Sequence, residues 1–138
     1  MTRRAKLKRP SQVLELYSQQ LIKGLTSRLS PSEFELNYSF RSPKVAYISG
    51  FAVFRNGALL EFDEVIKQEN NQVSRLKYRY HVMDSGKSLL FRYDNVAHHP
   101  EIKSHPHHKH LLNKVVESST PSLVDIVNEI TTLVIKSY

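Results

Sequence analysis

The chain has 138 residues, of which 20 are Lys or Arg and 13 are Asp or Glu, so its formal net charge is +7 and its pI is near 9.7. This length suits one domain, and the balance of hydrophobic and charged residues indicates a folded chain. The lack of cysteine excludes disulfides, thiolate metal sites and cysteine nucleophiles, and no stretch has the apolar length of a signal peptide or a membrane span. We therefore expect a cytoplasmic protein whose charge attracts polyanions, with nucleic acid first and an acidic protein second.

The N-terminal part of the sequence predicts a tail followed by a helix. The first ten residues, MTRRAKLKRP, form a basic tail that is either a nucleic-acid arm or a solvated end. We expect a single domain over residues 11–138. It opens with an amphipathic helix from the capping residue Ser11 to about Leu29, because apolar residues recur there at spacings of three and four. Those residues are Leu14, Tyr17, Leu21 and Leu25.

The middle of the chain predicts antiparallel strands. Alternating apolar residues between Phe34 and Phe40 predict a half-buried strand. Two β-rich runs then flank Asn56-Gly57, which favours a two-residue hairpin turn with positive φ at both positions. A second hairpin is predicted to turn at residues 84–87. A loop of two or four residues sets four facing pairs, which an odd loop would shift: Tyr78 with Tyr93, Arg79 with Arg92, Tyr80 with Phe91, and His81 with Leu90.

Alternation also divides this second hairpin into an apolar face and a cationic face. The apolar face is predicted to carry Leu76, Tyr78, Tyr80, Val82, Leu89, Phe91 and Tyr93. The cationic face is predicted to carry Lys77, Arg79, His81, Arg92 and Asp94. Two facing arginines suit a phosphate clamp, because the guanidinium group matches phosphate geometry. The alternative is an ordinary solvated face on which Asp94 pairs with Lys77.

A histidine-rich segment follows, and a helix ends the chain. Residues 98–110, HHPEIKSHPHHKH, contain six histidines, while Pro100 and Pro106 favour an extended loop. Thr120-Pro121 then opens a helix with an apolar stripe of Leu123, Ile126, Val127, Ile130, Leu133 and Val134. The predicted fold is therefore α+β: an N-terminal helix, an antiparallel meander sheet of about five strands, a His-rich loop, and a C-terminal helix packed on the sheet.

Three interpretations of the histidines stay open. RNA carries its own nucleophile, the 2′-hydroxyl, so imidazoles acting as acid and base, with a nearby cation, could cleave it without any cofactor. Alternatively the segment binds a divalent metal through His105, His107 and His110, although no HEXXH motif is present. In the third interpretation the imidazoles bond backbone carbonyls and only fix the loop.

Three motifs in this region resemble those of a known family. They are FRYDN at residues 91–95, VAHHPE at 96–101 and PHHKH at 106–110. Through them, roughly residues 79–130 resemble the TumE family of toxins from toxin–antitoxin pairs, although Ala97 and His105 replace the usual proline and aromatic residue. The resemblance implies a toxin that acts inside the cell and is neutralised by a DNA-binding antitoxin of the TumA type. By their positions in the three motifs, the residues of interest that the resemblance implies are Tyr93, Asp94, Asn95, His98, His99, Pro100, Glu101, Pro106, His107, His108, Lys109 and His110.

We therefore expect a toxin that binds and cleaves RNA without a metal. The predicted catalytic residues are His81, His98, His99, His107, His108 and His110. Lys77, Arg79, Arg92 and Lys109 are predicted to bind nucleic acid, with support from Tyr93, Asp94, Asn95 and Glu101. The alternatives are a non-catalytic module that docks an acidic antitoxin and a divalent-metal nuclease or hydrolase. Whether the chain forms a homodimer stays open.

Overall fold

The computed structural model describes residues 11–27 and 30–136, with side chains as far as Leu133. The predicted basic tail and the predicted end of the first helix at Leu29 lie outside these residues. In chain order the elements are α1 (Gln12–Thr26), β1 (Glu33–Ser42), β2 (Val45–Val53), β3 (Leu59–Glu69), β4 (Gln72–Met83), β5 (Leu89–Asp94), β6 (His108–Leu111), β7 (Lys114–Glu117) and α2 (Leu123–Lys136).

All seven strands form one antiparallel sheet in the order β1-β2-β3-β4-β5-β6-β7. Each strand therefore pairs with its neighbour in the sequence, which is the topology of a meander. The predicted α+β class, with one helix before the strands and one after them in the sequence, is confirmed. The sheet has two strands more than the predicted five or so, because β6 and β7 arise from the end of the histidine-rich segment and the residues after it.

Both helices cover one face of the sheet, which we call the inner face. Its buried residues include Ile48, Phe62, Tyr80 and Phe91. Ser11 caps α1 as predicted, because its hydroxyl accepts a hydrogen bond from the Leu14 backbone N–H. The apolar stripes of both helices are buried against this face: Leu14, Leu21, Leu25, Leu123, Ile126, Val127 and Ile130. We call the opposite face the outer face. It has polar side chains from β3 to β6, such as those of Arg79 and Arg92.

A buried carboxylate joins the helices to the inner face. Glu64 on β3 is 1% exposed and accepts hydrogen bonds from the hydroxyls of Tyr17 on α1 and Tyr80 on β4. Burial, and then the charge of Glu64, raise the pKa of both tyrosines, so both hydroxyls keep their protons. Arg75 donates to the Tyr80 hydroxyl and to the Pro121 carbonyl just before α2, each at 2.6 Å. This network gives the buried Glu64 carboxylate its hydrogen-bond donors, and it links α1, the sheet and the segment just before α2.

The two-residue turn lies at a different place from the one predicted. Between β2 and β3 the Phe54 backbone N–H bonds the Ala58 carbonyl, and Gly57 alone has positive φ, at 89°. The prediction of positive φ at both Asn56 and Gly57 is therefore wrong, and the loop has three residues. The turn with two positive φ values joins β3 to β4 at Asn70 and Asn71, with φ of 49° and 63°. Asparagine tolerates this conformation, so the turn needs no glycine.

The predicted register of the second hairpin is also wrong. Backbone bonding of Asp84 with Ser88 leaves a loop of three residues, an odd number. The pairing Met83↔Leu89 then changes to Val82↔Phe91, so a bulge at Leu90 adds one more residue. Together these two irregularities shift β5 by two residues against β4. The observed pairs are Arg79↔Asp94, Tyr80↔Tyr93 and His81↔Arg92.

A bulge in β4 explains one error in the predicted apolar face. Pairing with β3 changes from Val65↔Lys77 to Ile66↔Arg75 and so passes over Leu76. Leu76 is 49% exposed, which contradicts its predicted place in the core. The bulge also turns Arg75 towards the inner face, where it reaches Tyr80.

We expect Gly50→Ala to destabilise the fold because the sheet has no room for a methyl group there. A Cβ at Gly50 would lie 2.6 Å from the Glu35 carbonyl oxygen and 2.7 Å from the Phe62 ring. Overpacking of this kind costs about 1–3 kcal/mol, measurable as the free energy of unfolding in urea. Gly86→Ala is the matched control, since its nearest contact would be 3.4 Å and it should change stability by less than about 1 kcal/mol. Equal effects of the two substitutions would contradict the close packing at Gly50.

Candidate functional site

The pairing of β5 with β6 places carboxylate, guanidinium and imidazole groups side by side on the outer face. Asp94 on β5 pairs with His108 on β6, and Arg92 pairs with His110. Directly opposed residues of an antiparallel pair point to the same face. His99, from the loop before β6, packs its ring against the rings of His108 and His110. We call Asp94, His99, His108 and His110 the histidine cluster.

His108 is buried and held in one orientation. It is 1% exposed, and its Nδ1 lies 2.9 Å from the Pro106 carbonyl oxygen. A carbonyl can only accept, so Nδ1 carries a proton and donates it. The opposite nitrogen, Nε2, lies 2.9 Å from Asp94 Oδ1 and 2.9 Å from His110 Nε2. His108 is therefore fixed by the chain just before it and presents Nε2 to the rest of the cluster.

Asp94 is the buried anion of the cluster, with 3% of its surface exposed. Its Oδ1 accepts a hydrogen bond from the Val96 backbone N–H at 3.0 Å, while its Oδ2 lies 3.4 Å from His110 Nε2. A buried carboxylate requires hydrogen-bond donors or cations around it. Asp94 is thus oriented by its own chain and contacts two of the three imidazoles.

His99 and His110 form the accessible side of the cluster. Their side chains are 30% and 25% exposed, and their ring centroids lie 5.6 Å apart. Burial lowers the pKa of His110, and the nearby His108 and Arg92 also lower it, against the opposing effect of Asp94. The neutral form of His110 therefore predominates at pH 7.

Three imidazoles of the cluster lie close enough together to hold a metal ion. One ring nitrogen from each of His99, His108 and His110 lies within 4.8 Å of the others. Of the three ligands considered from the sequence, only His110 belongs to this group. His105 is exposed, and His107 directs its Nδ1 to the Tyr78 hydroxyl at 2.8 Å.

The two arginines of the outer face have separate partners, so the predicted clamp of facing arginines is wrong. Arg79 lies opposite Asp94 in the register, and its Nε donates to Asp63 at 2.8 Å. Arg92 lies opposite His81, and its Nε donates to His81 Nδ1 at 2.9 Å. Burial, followed by the charges of Arg92 and Arg79, lowers the pKa of His81, which fits its role as an acceptor.

Three of the predicted site residues, Tyr93, His107 and Lys109, contact the inner face instead. Lys109 Nζ lies 3.0 Å from Glu129 Oε2 on α2, and the Tyr93 hydroxyl donates to Glu129 Oε1 at 2.6 Å. The His107 ring stacks on Tyr78, where burial raises the tyrosine pKa to about 12. These side chains connect the end of the loop and β6 to the helix side of the sheet, away from the histidine cluster.

The remaining predicted residues lie in different surroundings. His98 and Lys77 are exposed. The side-chain amide of Asn95 accepts a hydrogen bond from the Tyr78 backbone N–H and donates one to the Leu76 carbonyl, so it bonds the β4 backbone just beyond the end of β5. Glu101 Oε1 lies 3.1 Å from His99 Nδ1.

Sequence reasoning missed how the cluster is assembled, because it treated residues 98–110 as a loop. In the structure Leu111 pairs with Lys114 across a two-residue turn, so HKHL and KVVE form a hairpin. The signal was the spacing of His108 and His110, which puts both on one face of a strand. Asp94 was predicted only as a supporting residue, although it contacts both of them.

Comparison with known proteins identifies the family. Within residues 11–27 and 30–136, neither helix has the length and hydropathy needed to cross a lipid bilayer. No curated protein and no solved structure was found to match the chain. A family model described as Toxin TumE matches residues 20–136, a range that includes the whole sheet and the histidine cluster. The chain therefore belongs to the TumE toxin family.

Proposed function

We propose that this TumE-family toxin cleaves RNA at the outer face of β4 to β6, with the histidine cluster at the reacting centre. The observation that carries the proposal is the buried Asp94 carboxylate 2.9 Å from His108 and 3.4 Å from His110, with His110 accessible to solvent beside Arg92. Buried charged and imidazole groups that converge at an accessible face are typical of catalytic sites.

RNA suits the chemistry of this site because it supplies its own nucleophile. The 2′-oxygen bonds to phosphorus while the bond from phosphorus to the 5′-oxygen breaks. The proton of the 2′-hydroxyl passes to a base at the histidine cluster, and an acid of the same cluster delivers a proton to the departing 5′-oxygen. Arg92 lies opposite His110 in the register and is placed to neutralise charge on the phosphate. The net charge of +7 favours binding of such a polyanion.

Membership of a toxin family implies an antitoxin partner. We further propose that this partner is a DNA-binding antitoxin of the TumA type and that the toxin acts in the cytoplasm. A non-catalytic role, in which the basic surface only docks an acidic antitoxin, is the competing function that the following experiments separate.

Cleavage is tested with untagged, antitoxin-free protein and a structured cellular RNA, followed by analysis of the new ends. We expect 2′,3′-cyclic phosphate ends and a loss of rate of about 100-fold or more in His99→Ala and His110→Ala. Thermal melting should change little, because both side chains are partly exposed. Intact RNA after incubation with the wild-type protein would overturn the proposal and support the docking function. A large loss of stability in both variants would instead indicate a structural role for the cluster.

RNA binding gives a second prediction, measured with an uncleavable 2′-deoxy strand at several salt concentrations. Arg92→Ala should weaken binding and reduce the slope of log affinity against log salt by about 0.7–1, because one phosphate contact is lost. Arg55→Ala removes the same charge from the β2–β3 turn, outside the site. Equal changes in the two variants would show that binding is spread over the basic surface and would contradict the proposed site.

A further inference from the structure

We propose that His99, His108 and His110 bind one divalent transition-metal ion, with the Asp94 carboxylate balancing its charge. Metal binding itself stands on the geometry of the cluster. Its role in the reaction rests on the proposed cleavage of RNA, and it names the cofactor of that same site.

The first support is the separation of the donor atoms. Imidazole nitrogens at about 2.0–2.1 Å from one ion lie about 3.3 Å from each other in a tetrahedral site, in which three histidines leave the fourth position open. The Nε2 atoms of His108 and His110 are 2.9 Å apart, and the two Asp94 oxygens lie 2.9 Å and 3.4 Å from them. A nitrogen of His99 completes the group within 4.8 Å. A small movement of the partly exposed His99 ring would bring all three nitrogens around a common ion.

The second support is the protonation of His108. Its Nδ1 carries the proton that the Pro106 carbonyl accepts, so in the neutral ring Nε2 has a lone pair. That lone pair would point at the Asp94 carboxylate and at a second imidazole nitrogen, which is an unfavourable arrangement in a buried site. A positive species between these atoms removes the conflict. Imidazole nitrogens that meet beside a carboxylate are a donor set typical of first-row transition-metal ions.

The third support is the set of hydrogen bonds that hold the proposed ligands in place. Metal-binding histidines usually give their other nitrogen to a carbonyl or a carboxylate, which fixes the ring. His108 does this with Pro106, and His99 directs its Nδ1 to Glu101 at 3.1 Å, which leaves Nε2 for the ion. Asp94 is itself held by the Val96 backbone N–H. The ligands are therefore oriented without the ion.

The donor set indicates the class of ion and its role. Imidazole suits zinc and its first-row neighbours, whereas magnesium and calcium prefer oxygen ligands. His108 closes the cluster towards the protein, while His99 and His110 border solvent, so one coordination position faces the outer surface. There the ion would bind a phosphate oxygen of RNA and would activate a water that accepts the 2′-hydroxyl proton. The bound water would then be the base of the cluster and, once protonated, its acid, while the imidazoles hold the ion.

The test uses untagged full-length protein, stripped of metal by EDTA and titrated with Zn²⁺ by calorimetry and with Co²⁺ by visible absorption. We expect one ion per chain and d–d bands typical of nitrogen and oxygen ligands. His99→Ala and His110→Ala should each weaken binding about tenfold or more, and Asp94→Asn about 10–100-fold. His105→Ala removes an exposed histidine of the same segment outside the cluster and should leave affinity unchanged.

The possible results separate metal binding from cleavage. Absence of stoichiometric binding, or equal losses in His105→Ala and His110→Ala, would overturn the metal site. Full cleavage by metal-stripped protein would overturn the metal's role while supporting RNA cleavage by the imidazoles alone. One ion bound at the cluster without any RNA cleavage would keep the metal site and overturn the proposed function.

Discussion

The contact between the Asp94 carboxylate and the His108 imidazole joins β5, the last strand predicted from the sequence, to β6, the first strand that was not predicted. Each group is also held by its own chain, Asp94 by the Val96 backbone N–H and His108 by the Pro106 carbonyl. Both are buried, so removing either would leave a polar group without its partner, at a cost of about 1–3 kcal/mol or more. The positions of His110 and Arg92 follow from this contact, since they occupy the next outer-face positions on the same two strands.

The chemistry of the outer face depends on two local irregularities near the β4–β5 turn. A loop with an odd number of residues and the bulge at Leu90 together shift the register by two residues. A shift of two keeps the side chains of β5 from Phe91 onward on their predicted faces, so the members of the cationic face were predicted correctly while their partners were not. In the predicted register Arg79 would lie opposite Arg92, which has the same charge. In the observed register it lies opposite the Asp94 carboxylate, which has the opposite charge.

Apolar spacing was sufficient to predict both helices and the first five strands, because each has a regular apolar stripe on the side of the inner face, although Phe34 and Tyr38 of the β1 stripe are exposed. It could not predict β6, since HKHL has only one apolar residue and two prolines precede it. The histidine cluster depends on that strand, so the motifs indicated the residues of the candidate site but not how the structure groups them. Lys109 illustrates the same limit: the sequence placed it in the cationic site, whereas strand alternation turns it towards Glu129 on the other face.

Two buried carboxylates of the described residues, Glu64 and Asp94, show why one face stabilises the fold and the other is suited to chemistry. The partners of Glu64 are tyrosine hydroxyls that keep their protons, so its charge is satisfied permanently within the core. Asp94 instead faces the Nε2 atoms of two histidines, which are groups able to bind a proton or a metal ion. A carboxylate balanced by exchangeable cations at an accessible surface can take part in a reaction, whereas one balanced by fixed hydroxyls can only hold the structure together.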